Sequence, residues 1–267
     1  MFKLRLKLKL FLSSKLKSIF SKFGYIIVSA QYKYYDPQKY LLVEKNKFIL
    51  SHRQDKNLDP VKYFINDEGT YNQIWGSDLF IERYLDEQRM SLFSYVIDNI
   101  VRFRNILSID SVIDVGCGTG DFLKVLVQRL PNLDIFGTDY SEASIERSRK
   151  LIPHGTFHAI NIFDLQSINK KFDLVFCMEV LEHIEFPEKA IHTLSNICND
   201  DGLLIITVPN GSIDDWIGHI NFWQFLEFKE LLQTNHLNVD HCSIYDEYFM
   251  LFICSKPINK SPANTKN

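Results

Sequence analysis

Three residues in the second half of the chain carry side chains that can bind a metal ion or move a proton. They are Glu179, Glu182 and His183, in the sequence Glu-Val-Leu-Glu-His that follows an apolar stretch. If this sequence begins a helix, the three side chains share one face, because positions i, i+3 and i+4 are neighbours on a helix. Carboxylate and imidazole groups together suit Mg²⁺ or Mn²⁺. The alternative is purely structural: Glu182 caps a helix and His183 bonds to backbone.

A glycine-rich turn stands earlier in the chain. Residues 112–115 read as a strand whose apolar pattern is broken by Asp114, and Gly116, Gly118 and Gly120 follow before a helical period begins. Glycine allows a ligand to approach the backbone closely and allows a positive φ angle. The unpaired N–H groups at the start of the next helix add hydrogen-bond donors. Strand, turn and helix together predict a nucleotide-like ligand.

A second acidic strand end narrows the ligand class. The next predicted strand, residues 133–138, is followed by Asp139, where a carboxylate can accept both hydroxyls of a ribose. The spacing of the dinucleotide fingerprint is absent, because Asp121 stands where its third glycine would be, and a carboxylate there would repel a pyrophosphate. We therefore expect an adenosyl ligand without phosphates.

Four motifs resemble the Rossmann-like (class I) S-adenosylmethionine-dependent methyltransferases. The resemblance spans residues 111–256 and rests on motifs in the expected order, which are D-V-G-C-G-T-G from Asp114, G-T-D-Y-S from Gly137, F-D-L-V-F-C-M-E-V-L-E-H from Phe172 and D-G-L-L-I-I-T-V-P-N from Asp201. It implies that S-adenosylmethionine is the cofactor.

The resemblance also implies which residues bind the cofactor. Those implied to face the methionine part are Asp114, Gly116, Cys117 and Gly118, and those implied to face the ribose are Asp139 and Tyr140. Those implied at the adenine are Asn161 and Ile162, and Gly120 and Met178 complete the cofactor-binding set. The family has Asp where this chain has Asn161. An Asn carbonyl can still accept from the adenine amino group, and Asp164 is the fallback.

A further histidine enters through the same kind of resemblance. This chain has E-x-x-E-H at Glu179 and H-x-x-F/W at His219. The two motifs together are similar to the metal-binding set of small-RNA 2′-O-methyltransferases. The E-x-x-E-H motif alone also recurs in ubiquinone-pathway O-methyltransferases. The implied metal ligands are Glu179, Glu182, His183 and His219, for Mg²⁺ or Mn²⁺. Without a metal, His219 or His183 is the best general base, because imidazole titrates near neutrality. The candidate catalytic residues are thus His219, His183 and Glu182.

The elements that must position these residues alternate between strand and helix patterns from residue 112 onward. Such alternation predicts an α/β fold with a Rossmann-like, doubly wound, seven-stranded sheet that is mostly parallel and ends in a C-terminal antiparallel hairpin. Upstream, residues 74–106 have a helical period that suggests two helices leading into the first strand. These helices would roof the cofactor, with Tyr71 and Trp75 as wall candidates, although ordinary packing is the simpler role for both.

Composition separates one end of the chain from the rest. The net charge is −3, but residues 1–35 contain eight Lys or Arg and no acid, so the remainder carries 22 basic against 33 acidic residues. The basic end could lie on a membrane through residues 1–30, or dock on its own domain or on a dimer partner. We do not expect nucleic acid as a partner, since the rest of the chain is acidic and would repel a phosphate backbone. Five cysteines without a C-x-x-C suit a reducing cytoplasm, and a basic end that lies on a membrane would place the protein at the inner membrane surface.

These observations predict four segments and one activity. The segments are a basic amphipathic extension (1–35), a helical cap (36–110), a methyltransferase domain (111–256) and a disordered tail (257–267). The expected activity is O-methylation of a hydroxyl on a small molecule or glycan, for example in surface-polysaccharide biosynthesis. Two alternatives remain open: an RNA ribose 2′-O-methyltransferase, and a non-catalytic cofactor-binding partner subunit.

Overall fold

The computed structural model describes residues 40–44, 47–50, 66–103, 109–214, 216 and 218–257. The chain forms two compact units, one made of Met1–Ile65 with Asp215–Ile220 and the other of Asn66–Asp214 with Asn221–Asn267. In the first unit, strands Tyr40–Glu44 and Lys47–Leu50 pair antiparallel. The predicted basic extension and all but the first residue of the predicted tail lie outside the described residues.

The larger unit is built on a seven-stranded sheet. Its strands in chain order are β1 (Ser111–Val115), β2 (Asp134–Asp139), β3 (Thr156–Ala159), β4 (Phe172–Met178), β5 (Cys198–Pro209), β6 (Asn238–Tyr245) and β7 (Phe249–Ser255). They lie side by side in the order β3-β2-β1-β4-β5-β7-β6. The first five are parallel, and β7 runs antiparallel to both β5 and β6. The predicted fold class is confirmed.

Seven α-helices accompany the sheet in the described part of this unit. They are α1 (Glu68–Gly76), α2 (Asp78–Tyr84), α3 (Glu87–Phe103), α4 (Asp121–Arg129), α5 (Glu142–Leu151), α6 (Pro187–Ile197) and α7 (Phe225–Thr234). Of these helices, α3 is the longest, and none is long and apolar enough to cross a membrane.

The lead-in segment contains three helices, of which α2 and α3 are the two expected within residues 74–106, while α1 ends at Gly76. Each begins at a side chain that accepts a backbone N–H: Asp67 from Thr70, Ser77 from Phe80, and Asp86 from Arg89. Such N-caps satisfy donors that the helix leaves unpaired, and they favour a new helix start.

Both faces of the sheet are buried. Successive residues of a strand point to opposite faces, so Val112 packs in a cluster with α3, α4 and α5 while Ile113 packs in a second cluster with α6 and α7. This double burial explains the nearly continuous apolar runs of the parallel strands. It also fixes the carboxyl ends of β1, β2 and β4 beside one another, where the chemistry-bearing motifs leave the sheet.

Candidate functional site

The turn after β1 is shaped for glycine. Gly116, Gly118 and Gly120 all have positive φ angles, of 80°, 52° and 83°. The N–H groups of Gly116 and Cys117 both donate to the carbonyl of Thr138, at 2.7 and 2.9 Å, which pins the turn against the end of β2. A Cβ on Gly116 would lie 2.3 Å from Val180 Cγ2, so no larger residue fits without movement. The turn therefore exposes backbone where side chains would otherwise stand.

Two carboxylates are buried next to this turn. Asp139 accepts hydrogen bonds from the backbone N–H of Gly118 (2.9 Å) and of Ser141 (2.8 Å). Asp114 is buried in β1, and its Oδ1 accepts no hydrogen bond from any residue that the structure describes. Burial, and then the charge of Asp139, raise the pKa of Asp114 to about 7. A buried acceptor left without a partner is expected where a ligand supplies the donor.

Helix α1 covers the turn. The ring of Trp75 is buried and stands so close to Gly118 that a Cβ there would be 3.3 Å from it. The side-chain oxygen of Asn72 accepts from Ser141 Oγ at 2.7 Å, which fastens α1 to the start of α5. The Tyr71 ring lies edge-on to the rings of Tyr140, at 6.4 Å, and His183, at 5.9 Å. The two residues expected to form a wall thus lie over the loop.

The residues expected at an adenine lie past the end of β3. The backbone N–H of Ile160 donates to the carbonyl of Asp139, which holds this segment beside β2. Asn161 begins a 3₁₀ turn, Ile162–Ile168, and its Oδ1 accepts from the N–H of Phe163 at 3.1 Å. Ile162 is buried. The Asn161 carbonyl therefore serves as a helix cap, and its second lone pair is what a ligand amine could use.

Residues after β4 do not form the expected helix. Glu179 has a φ of 56°, a left-handed conformation that is rare outside glycine, and its N–H donates to the carbonyl of Thr207 at 3.0 Å. Only Leu181–His183 forms a short 3₁₀ turn. The prediction that Glu179, Glu182 and His183 share one helix face was therefore wrong. The hydrogen bonding between β4 and β5 continues as far as Glu179, and the left-handed conformation of Glu179 prevents a helix from starting there. Backbone strain of this kind is concentrated at functional sites.

Two of the three side chains still meet. Glu182 is fully buried, and its Oε1 lies 3.8 Å from His183 Nε2. Burial, and then the neighbouring Glu179, raise the pKa of Glu182 well above its ordinary value. The backbone beneath is held by Asn221, whose N–H donates to the Glu182 carbonyl and whose amide donates to the carbonyls of Leu181 and Ile184.

Glu179 faces a cation that the sequence analysis did not identify. Its Oε2 lies 3.7 Å from Arg89 Nη1, and the Arg89 side chain is only 16% exposed. A signal was available in the sequence, because Arg89 stands in line with Leu92, Phe93 and Val96 on the apolar face of α3. A charged residue on such a stripe needs an explanation beyond packing.

Asp214 and Tyr248, which the sequence reasoning did not identify, form a hydrogen-bonded pair in the region around Glu182. Asp214 is buried and accepts a hydrogen bond of 2.9 Å from the hydroxyl of Tyr248. The Asp214 charge adds to the rise in the pKa of Glu182. Asp214 follows β5 and Tyr248 stands in the turn before β7, so the carboxylates gather at one end of the sheet.

His219 belongs to the smaller unit. It is buried there, its ring centroid is 4.8 Å from that of Trp216, and its N–H donates to the Trp216 carbonyl. An imidazole held on one side by an indole keeps its ring orientation, which suits a ligand or a base.

Curated proteins with similar sequences are methyltransferases. The chain is 29% identical over 99 residues to trans-aconitate 2-methyltransferase of Variovorax paradoxus, covering 37% of this chain and 38% of that protein. It is 27% identical over 151 residues to ubiquinone biosynthesis O-methyltransferase of Glaesserella parasuis, covering 46% and 61%. The chain thus matches about two fifths to three fifths of these relatives.

Solved structures share the fold at lower identity. The N-methyltransferase NodS of Bradyrhizobium japonicum, crystallised with S-adenosyl-L-homocysteine, has a TM-score of 0.60 at 17% identity and covers 72% of this chain and all of its own. Magnesium protoporphyrin IX methyltransferase of Synechocystis has a TM-score of 0.56 at 18% identity, with 72% and 100% covered. A family model described as a methyltransferase domain matches residues 81–249, which is more than half of the chain. The chain therefore belongs to the methyltransferase domain family.

Proposed function

We propose that the chain is an S-adenosylmethionine-dependent methyltransferase that methylates a hydroxyl of a small molecule or glycan. The observation that carries the cofactor is the cradle around Gly116 and Gly118, flanked by the buried carboxylates of Asp114 and Asp139 and covered by α1. Such a cradle has backbone donors, room without side chains, and a carboxyl oxygen that awaits a donor. These features fit the amino acid and ribose parts of the cofactor.

When bound, S-adenosylmethionine supplies a methyl group on a positively charged sulfur. Asp139 and Tyr140 would hold the ribose, and Asp114 with the turn from Gly116 to Gly120, including Cys117, would hold the methionine part. Asn161, Ile162 and Met178 would border the adenine. Helix α1 would exclude water from above, since Tyr71 and Trp75 already lie over the loop. The contribution of the protein is mainly positioning and dehydration of the reacting groups.

The acceptor side is where a hydroxyl must lose its proton. His183 lies beside Glu182, and a carboxyl group next to an imidazole can fix the ring and share its proton. Of the two relatives described above, the ubiquinone biosynthesis enzyme is named as an O-methyltransferase, which supports an oxygen acceptor. We therefore assign the removal of the hydroxyl proton to His183 or His219.

A divalent cation is the second part of this proposal. Glu182 and His183 offer an oxygen and a nitrogen of the types that Mg²⁺ or Mn²⁺ accepts. His219 is a third candidate through the resemblance of its H-x-x-F sequence to the metal-binding set described above. Glu179 is the weakest of the four candidates, since its carboxylate faces the Arg89 guanidinium, which competes with a metal for it. A bound metal would lower the pKa of the acceptor hydroxyl.

Calorimetry with S-adenosylhomocysteine tests both parts. The full chain should bind it with micromolar affinity, and a stoichiometric Mn²⁺ should be detected in the wild type and lost in Glu182→Gln. The exposed Glu185→Gln is the matched control and should keep the metal. Cofactor binding without any metal would leave the methyltransferase proposal standing with His183 or His219 as the base. Absence of S-adenosylhomocysteine binding would contradict the proposed function.

A further inference from the structure

Arg89 occupies an unusual environment for a charged side chain. It lies in the first turn of α3, and its guanidinium carbon is 4.6 Å from the ring centroid of Tyr84 and 5.0 Å from that of Phe249. Only 16% of the side chain is exposed. Burial works against the charge of Arg89, but Tyr84 and Glu179 outweigh it and raise the pKa of this side chain. The guanidinium is therefore a shielded, permanent cation.

The hydrogen-bonding capacity of this cation is not used by the described protein. The contact with Glu179 is 3.7 Å, which is longer than a hydrogen bond, and the described residues provide no hydrogen bond to the guanidinium. The Tyr84 and Phe249 rings stabilise the charge through their faces, and the structure records no hydrogen bond from the guanidinium to the Tyr84 hydroxyl. A guanidinium carries five N–H donors in a planar fork, which suits it to bind two oxygen atoms at once. Arg89 is thus prepared for oxygen atoms that the described residues do not supply.

The position of Arg89 connects this unused capacity to the acceptor. Glu179, its neighbour, is the first residue after β4, and Glu182 and His183 follow within four positions. Tyr84 faces the same group of charges, because burial, Glu179 and Glu182 raise the pKa of its hydroxyl while Arg89 lowers it. Arg89 therefore lies beside the residues assigned to the acceptor, and the Tyr84 ring, 5.1 Å from that of Trp75, connects it to the cover of the cradle.

We propose that Arg89 is a specificity-determining residue that binds a carboxylate of the methyl acceptor, so that the acceptor is a hydroxy acid or a sugar acid. A planar carboxylate matches the fork of a guanidinium with two parallel hydrogen bonds, whereas an ammonium group could provide only a point charge. The burial of Arg89 makes the pairing strong, since the surrounding rings keep water away from it. This inference rests on the proposed function, because it places the acceptor beside Glu182 and His183.

Matched pairs of probes isolate the carboxylate. The probes are 3,4-dihydroxybenzoate with 3,4-dihydroxybenzamide, and glucuronate with glucuronamide, each titrated into the full chain with and without saturating S-adenosylhomocysteine. In at least one pair the acid should bind at least about tenfold more tightly than the amide, since truncating a buried charge pair costs at least about 1.4 kcal/mol. Arg89→Met should remove this preference and leave amide binding and S-adenosylhomocysteine binding within about twofold of wild type.

Two further variants control for structural effects. Arg89→Lys keeps the charge but lacks the fork, so it should retain only part of the preference. Arg102→Met removes an exposed arginine from the same helix and should change nothing. Equal binding of acid and amide by the wild type in both pairs, failure of the wild type to bind either, or an undiminished preference in Arg89→Met would overturn the proposal. If Arg89→Met does not fold, the wild-type comparison and Arg89→Lys still decide.

The two proposals fail in different measurements. If the wild type did not bind S-adenosylhomocysteine, the proposed function would be contradicted. The titrations without S-adenosylhomocysteine would still show whether the protein prefers the acid to the amide. Conversely, normal S-adenosylhomocysteine binding with no preference between acid and amide would remove only the role of Arg89.

Discussion

The backbone N–H of Gly118 donates to Asp139 Oδ2 over 2.9 Å, and this bond joins the glycine turn after β1 to the end of β2. The other oxygen of the same carboxylate accepts from the N–H of Ser141, at the start of α5. One buried side chain therefore sets the positions of three elements at the proposed cofactor site. The carboxylate also retains lone pairs, since each of its oxygens can accept two hydrogen bonds.

Asp139→Asn should weaken S-adenosylhomocysteine binding by about tenfold or more. The amide has one acceptor oxygen where the carboxylate has two, and a hydrogen bond to a charged group contributes about 1.5–3 kcal/mol. Isothermal calorimetry measures the change. Asp134→Asn is the control: it stands at the other end of β2, is exposed and pairs with Lys170, so its loss should leave affinity unchanged. Equal loss in both variants would show a general effect on β2 instead.

Gly116→Ala should destabilise the fold. The φ of 80° costs a residue with a Cβ about 1–3 kcal/mol, and the approach to Val180 Cγ2 adds an overpacking cost of about 1–3 kcal/mol. Urea unfolding would report a lower free energy. Adding Val180→Ala should recover the overpacking part only.

Gly76→Ala provides the comparison for this variant. A Cβ at Gly76 would have nothing within 4 Å, and its φ is not positive, so this change should be neutral or stabilise the protein by about 0.5–1 kcal/mol. If the double variant Gly116→Ala with Val180→Ala were no more stable than Gly116→Ala alone, the contact with Val180 would not be the cause.

The sequence predicts the sheet well because its strands are buried on both faces and separated by turn residues. Glycines and acids at the ends of β1 and β2 could be assigned to one edge because parallel strands end together. The helix at Glu179 was mispredicted because a left-handed residue leaves no mark on hydrophobic spacing. The side chain that faces Glu179, Arg89, comes from a helix far away in the chain, and a single sequence carries no record of that pairing.

Stability should depend on pH through Asp114. Its pKa of about 7 in the folded protein exceeds the ordinary value near 4, so between these values the folded state binds one more proton than the unfolded state. Stability from this group is therefore fully present below about pH 4, decreases by up to about 1.4 kcal/mol per pH unit as the pH rises, and is constant above about pH 7.

Urea unfolding of wild type and Asp114→Asn at about pH 5, 6, 7 and 8 isolates this contribution. The free energy of unfolding of the wild type minus that of the variant should fall up to about pH 7 and then level off. Glu182, whose pKa is also raised, contributes in the same direction to both proteins and cancels in the difference. A difference that does not vary with pH would mean that Asp114 is ionised in the folded protein throughout this range.

Tyr71 should act on the cofactor through its ring and not through its hydroxyl. The ring lies edge-on to Tyr140 and His183, whereas the hydroxyl donates to Asn66 at the start of α1. Each such ring pair contributes about 0.5–1.5 kcal/mol, so Tyr71→Ala should weaken S-adenosylhomocysteine binding about tenfold. Tyr71→Phe keeps both ring pairs and should bind within about twofold of wild type.

The control for these variants is Tyr95→Ala. Tyr95 also makes a ring contact, at 4.4 Å with Tyr245, and it bonds to Ser243, but on α3 and β6 away from the glycine turn. Tyr95→Ala should lower the free energy of unfolding without changing the affinity for S-adenosylhomocysteine. This control separates the loss of an aromatic pair from the loss of the cover over the cofactor. If Tyr71→Ala bound S-adenosylhomocysteine as tightly as wild type, α1 would be packing on the site without taking part in binding. A loss in Tyr71→Phe equal to that in Tyr71→Ala would instead assign the effect to the hydroxyl and its bond to Asn66.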